Sequence, residues 1–277
     1  MICDLHSHTS FSDGVLTPRE LIDRAIEKDV DMLAITDHDT VDAFNEIQLT
    51  QDEINQDGLT LIPGIELSTQ WGSVGIHVLG LNVDLGSESI HTAARIQSET
   101  RLERAKRISS NLEKKGIENA FDGASRLSAG TYIGRPQFAQ HLINIGKVET
   151  MHDAFKKYMG DGKAGDVKNH WAELPQIIQW IRDANGIAVL AHPLKYKLTR
   201  TRLKRLLDSF IDAGGQGMEV VSGQQTPQQT SAMAQLCEQK NLLASCGSDF
   251  HMPGKPWAEL GRFPLLPKSV TPAWERF

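Results

Sequence analysis

Nine residues in this chain carry the side chains that bind divalent cations, and they arrive in short blocks. His6, His8 and Asp13 lie in DLHSHTSFSDG, His38 in ITDHD, Glu66 in PGIEL, His77 in GIHVLG, His192 in LAHP, and Asp249 and His251 in CGSDFH. Imidazole and carboxylate are the donors that suit Zn, Mn and Fe. Each block sits on or just past a short apolar run with β-strand character. Residues two apart in a strand share a face, so His6 and His8 can reach one ion. Asp13 lies beyond a turn and can serve a neighbouring ion, Asp249 and His251 repeat the two-residue spacing, and Glu66 can bridge two ions through its two oxygens. A single buried histidine is more often a hydrogen-bonded core residue than a ligand. Recurrence at six strand ends points instead to a polynuclear metal site for hydrolysis.

Such a site needs a scaffold that gathers strand ends. Seven β-rich runs stand out, at 2–5, 32–36, 61–65, 76–81, 187–191, 218–221 and 243–246. Most are continuously apolar, as parallel strands covered on both faces are. Helical patterns separate several of them: one opens at Thr17-Pro18, an N-cap followed by proline at the first helical position, and others cover 175–184 and 202–213. Alternation of this kind, with chemistry at strand C-termini, describes a distorted seven-stranded (β/α) barrel. The stretch 87–165 breaks the alternation. It begins with a long charged helix ending at Gly116, continues with a helix opened by Arg135-Pro136 that stops near Gly146, and ends with a third over 149–159. This predicts two units: a barrel from 1–86 and 166–277, and a helical insertion, 87–165, that forms part of the substrate pocket. The proline-rich tail after His251 is expected to wrap the barrel irregularly.

Composition sets bounds. The chain has 277 residues, 40% hydrophobic and 23% charged, enough for a large core. A net charge of −6 argues against broad non-specific nucleic-acid binding. Nothing is long and apolar enough to span a bilayer, no signal-peptide pattern precedes the first strand, and Cys3, Cys237 and Cys246 form no disulfide framework. These features predict a cytoplasmic protein with no obligate protein partner.

The blocks together resemble the PHP (polymerase and histidinol phosphatase) domain family, whose signature is an HxH block, a TDH block, an internal Glu and His, an HP block and a terminal DxH block. The resemblance implies a distorted seven-stranded barrel holding up to three metals. By that analogy His6, His8, Glu66 and Asp249 hold the first ion, Glu66, His77 and His192 the second, and Asp13, His38 and His251 the third. Asp13 stands where some family members carry histidine. Mn is the expected activator, with Zn, Fe or Mg as alternatives. A water between two such ions is acidified into a hydroxide nucleophile while the ions clamp phosphoryl oxygens. Glu66, His192 and Asp249 are the expected catalytic residues, Asp249 as the acceptor of a proton. Asp37 is expected to orient ligands, and Asp39 either to do likewise or to cap a helix.

Blocks outside the ligand set point to the substrate. IGRP around Arg135, the YMGDGKAG loop, LAHPLKY and GSDFHMPGKPWAELGR resemble the nucleotide phosphatase and 5′-to-3′ exoribonuclease branch of that family. Arg135 opens a helix, where backbone donors and the dipole favour an anion, and its guanidinium forks onto phosphate. Lys195 and Lys163 are further phosphate candidates, and Trp257 is a candidate base-stacking platform. His91, His141, His152 and His170 lack the strand-end setting and read as structural or solvated. The expected substrates are 3′,5′-bisphosphate nucleotides or short 5′-phosphorylated RNA. A histidinol-phosphatase-like monoesterase and a non-catalytic metal-stabilised scaffold are the alternatives.

Overall fold

The computed structural model describes residues 1–47, 58–128, 132–168 and 171–277. His170 lies outside the described residues. Seven strands run in sequence order across one sheet: β1 (Cys3–Asp4), β2 (Met32–Ile35), β3 (Thr60–Trp71), β4 (Val74–Leu81), β5 (Ile187–Leu190), β6 (Gly217–Ser222) and β7 (Leu243–Gly247). The amide of Leu5 donates to Cys246 O at 2.9 Å and that of Asp249 to His6 O at 2.9 Å, drawing β1 and β7 together and nearly closing a barrel. Neighbouring strands are parallel except around β4, which runs antiparallel to both β3 and β5. The parallel character read from most of the apolar runs thus holds everywhere except at β4. Only Gly72 and Ser73 separate β3 from β4, whereas a parallel return needs a crossover of a dozen or more residues. Gly72 takes φ 59°, the left-handed conformation that a tight hairpin uses.

Side-chain alternation explains what faces inward. Ala34, Ile62, Leu79, Leu81, Ile187 and Val189 pack on one another, while Leu33, Ile35, Ile65, Ala188 and Leu190 pack outward beneath helices. Counting by twos from the inward set puts Glu66, His77 and Glu219 on the interior side of β3, β4 and β6. The outer layer includes α1 (Pro18–Glu27), with Thr17 and Glu20 closing a capping box, and a short α2 (Ala43–Glu46).

The segment between β4 and β5 is helical as predicted, with differences. Helix α3 spans Glu88–Glu113, and Gly116 follows it at φ 76°. A short α4 (Ala120–Ser125), not expected from the sequence, precedes α5 (Arg135–Asn144). The third predicted helix is α6 (Met151–Ala154) continued by a π turn over Phe155–Met159. Phe138, Leu142, Ile108, Leu112 and Met159 form a core of their own here. Three helices then flank the second half of the barrel: α7 (Leu174–Asp183), α8 (Arg200–Asp212) and α9 (Pro227–Gln239). The tail is mostly irregular but carries two 3-10 turns, and Ala244 N donates to Thr271 O at 2.8 Å. Arg24 grips Glu259 with two hydrogen bonds, pinning the tail to α1.

Candidate metal centre and substrate cavity

All nine candidate ligands converge. Loops after β1, β2, β5 and β7 deliver seven imidazole and carboxylate side chains to one mouth, and the hairpin strands add Glu66 and His77 from within β3 and β4 rather than from their ends. Four overlapping groups could each hold a cation: His8, Asp13, His38 and His251; His6, Glu66 and His192; His6, His8 and Asp249; and His38, Glu66 and His77.

Glu66 organises them. Its Oε1 lies 2.8 Å from His77 Nδ1 and 3.0 Å from His192 Nε2. Its Oε2 lies 3.2 Å from His6 Nε2, 3.3 Å from His8 Nε2 and 3.0 Å from His38 Nδ1. Asp249 Oδ1 sits 3.2 Å from His8 Nε2, and Asp13 Oδ1 3.2 Å from His251 Nε2.

The donor set fits cations. His6 Nε2, His8 Nε2, His38 Nδ1, Asp13 Oδ1 and Glu66 Oε2 are all buried with no hydrogen-bond partner, a costly arrangement for polar atoms unless a cation satisfies them. Protonation states agree at four groups; at His6 and His38 burial opposes ionisation, yet the neighbouring carboxylates raise both imidazoles, His6 to about 10, so a cation would have to displace those protons. Burial pushes His77 down to about 4 and holds His8 well below its ordinary value. Burial works against ionising Glu66 and Asp13, yet the surrounding histidines hold both carboxyls well below the usual range. Neutral imidazole and ionised carboxylate are the forms that ligate.

The neighbours divide the remaining work. Asp37 accepts from Thr9 N at 2.7 Å, from Thr9 Oγ1 and from Ser12 Oγ, so it fixes the loop between His8 and Asp13. Asp39 is not a helix cap; Asp42 holds that position before α2. At φ 57° Asp39 turns inward, where it accepts from Ser68 N and Oγ and from Gln97 and pairs with Arg101. Arg101 stands 4.3 Å from the Tyr132 ring centroid, and Tyr132 stacks on His38 at 5.8 Å. The candidate ligand His38 and helix α3 are thus joined through one aromatic ring.

A cavity of about 260 Å³ opens over the candidate ligands. Asp13, His38 and His77 line it together with residues that include Arg101, Arg104, Tyr132, Arg135, Pro136, Phe155 and Trp171. Arg135 therefore shares the cavity with the ligands. Arg104, one turn along α3 from Arg101, was missed by sequence reasoning. So was Arg101, although Gln97 and Arg101 interrupt the otherwise apolar buried stripe of α3, Ile90, Ala93, Ala105 and Ile108. Polar residues at core positions of a helical stripe are the signal.

The other candidates fall elsewhere. Lys195 pairs with Asp249 beside the ligands. Trp257 is 59% exposed on a 3-10 turn and is not among the residues lining this cavity. Lys163 is exposed in the glycine loop, as is His152 on α6. His91 contacts Leu85 O, and His141 is buried against Gly123. Glu219, buried on β6, was also missed: its Oε1 lies 3.0 Å from His6 Nδ1, and His192 N donates to its Oε2 at 2.5 Å.

A near-closed seven-stranded barrel with clustered histidines and carboxylates at its mouth defines a metal-dependent hydrolase scaffold of PHP type. Residues 4–220 match the PHP domain, and the chain belongs to that family. It is 46% identical over 277 residues to the 5′-3′ exoribonuclease Rnm of Salmonella typhimurium, covering 99% of this chain and 93% of that one. It is 39% identical over 272 residues to the 3′,5′-nucleoside bisphosphate phosphatase of Chromobacterium violaceum, covering 98% and 94%. Among solved structures, a Chromobacterium violaceum amidohydrolase with bound sulfate and no metal superposes with a TM-score of 0.90 at 38% identity, covering 99% of this chain and 95% of that one.

Proposed function

We propose that this chain is a metal-dependent phosphoesterase of nucleotides. It removes the 3′-phosphate from 3′,5′-bisphosphate nucleotides, and by the same chemistry it releases nucleotides from the 5′ end of short 5′-phosphorylated RNA. Both reactions require one pocket that holds a 5′-phosphate and a second that cleaves the adjoining 3′-linked ester. The observation that carries this reading is the joint lining of one cavity by the ligands His38, His77 and Asp13 and by the arginines Arg104 and Arg135. The names of the two relatives point to the same pair of substrates.

Two or three divalent cations, with Mn the favoured occupant, would supply an acidified water and neutralise phosphoryl charge. His6, His8, Glu66 and Asp249 would hold one ion, Glu66, His77 and His192 a second, and Asp13, His38 and His251 a third. The chain's other residues position the substrate. Arg135 lies in the first turn of α5, where the guanidinium and the helix N-terminus act on the same anion. Arg104 is largely buried; burial, with Arg135 and Arg101 nearby, lowers its pKa to about 10. No carboxylate pairs with it among the described residues, so a substrate phosphate would complete its surroundings. Trp171 and Tyr132 offer faces for a nucleobase. Lys195, beside Asp249, is placed to meet the phosphate being cleaved.

Residues 87–165 act as a pocket-forming insertion on this reading, since six of the lining residues come from it. A simple monoesterase needs no second anion contact, which sets the histidinol-phosphatase alternative behind. Among the described residues no helix is long and apolar enough to cross a membrane, and the three buried cysteines are free; a cytoplasmic location fits both. The test is phosphate release with Mn from nucleotide bisphosphates, histidinol phosphate and 5′-phosphorylated oligonucleotides. Preference for histidinol phosphate would replace this reading.

A further inference from the structure

Glu219 is an acidic side chain in the middle of an apolar strand, 1% exposed, in a barrel whose ligand set does not include it. A buried carboxylate in such a place is costly unless both oxygens are satisfied. Both are. Oε1 faces His6 Nδ1 at 3.0 Å, and Oε2 accepts from the backbone of His192 at 2.5 Å. The two partners share one candidate ligand group with Glu66, and His6 belongs also to a second with His8 and Asp249. His192 also sits at φ 27°, a conformation that non-glycine residues adopt only when their surroundings hold them there. Strand alternation points Glu219 into the barrel, and the β6–β7 register shifts only past it, between positions 219 and 221.

We infer that Glu219 is a positioning residue for the metal centre. It fixes the proton of His6 on Nδ1, so that Nε2 keeps its lone pair free for a cation, and it clamps the strained turn that aims the His192 ring. One carboxylate thereby holds two members of one ligand group in register and, through His6, the group of His8 and Asp249 as well. The inference rests on the metal reading above. It also explains why the group must be a carboxylate: both partners are N–H donors, and a carboxylate has two acceptor oxygens where an amide has one. Glutamine would turn its NH₂ toward one of those donors, forcing His6 to flip its proton onto Nε2 or releasing the His192 turn.

Glu219→Gln separates this role from space filling, because it preserves the volume. Calorimetric titration of Mn into metal-stripped protein should show at least one ion bound about 10- to 100-fold more weakly than in wild type, with the metal-free variant still folded by circular dichroism. Wild-type Mn affinity in a folded Glu219→Gln protein would overturn the inference. Should the variant not fold, the wild type loaded with diamagnetic Zn decides: long-range ¹H–¹⁵N correlation should place the His6 proton on Nδ1, and a proton on Nε2 would overturn it. Failure of the wild type itself to bind metal would overturn the metal reading instead, so the two are distinguishable.

Discussion

Oε1 of Glu66 lies 2.8 Å from Nδ1 of His77, eleven positions away across the β3–β4 hairpin. Ser68, not Glu66, is the register partner of His77, so the contact joins two inward-facing side chains one inward step apart along the barrel. Because Oε2 of the same carboxylate turns to His6, His8 and His38, Glu66 separates the histidines into two groups and can belong to both.

Replacement of Glu66 or His192 by alanine should therefore abolish turnover while leaving the barrel folded, since neither side chain belongs to the apolar core. Steady-state kinetics beside a circular dichroism melt checks this. Near-wild-type kcat in either variant would remove that residue from the ligand set. His170→Ala is expected to be mild.

Metal-replete protein should carry two or three divalent ions per chain by elemental analysis. Chelation should silence it and Mn should restore it. Ion binding to the folded state alone should also raise stability, by about 2.7 kcal/mol at a concentration 100 times Kd. An unchanged Tm on chelation, together with less than one ion per chain, would contradict the assignment.

The Arg101–Asp39 pair predicts a stability effect rather than a purely catalytic one. Both side chains are buried, and removing one member of a buried pair leaves the other charge uncompensated, at a cost of about 3–5 kcal/mol. Arg101→Ala should lower the denaturation midpoint by a correspondingly large amount. Arg104→Ala, which breaks no carboxylate pair, should cost far less stability and mainly affect substrate binding. Equal midpoints for the two variants would contradict this division.

The candidate cluster was legible in the sequence because metal chemistry restricts residue type and the blocks recur at strand ends, and the fold brings all nine side chains together. What escaped was set by three-dimensional neighbours. Strand β4 reads as apolar whichever way it runs, and only the brevity of Gly72-Ser73 betrays the reversal. Arg101 and Arg104 are ordinary in a charged helix until α3 lies across the mouth. Asp39 follows His38 in a block that suggests a cap, yet its partner Arg101 is 62 positions away. Trp257 shows the converse, an aromatic prominent in sequence that packs on the outside.

The ratio of kcat/KM for a 3′,5′-bisphosphate nucleotide to that for the corresponding 3′-monophosphate tests the proposed anchor most directly. A charge-assisted anchor of about 1.5–3 kcal/mol corresponds to roughly one to two orders of magnitude in rate, realised when binding energy at the remote phosphate orients the reacting one. The bisphosphate should be the better substrate by about that factor, and Arg135→Ala should erase most of the difference while leaving 3′-monophosphate turnover little changed. Equal kcat/KM for the two substrates in the wild type would contradict the anchor and mark the protein as a general phosphatase.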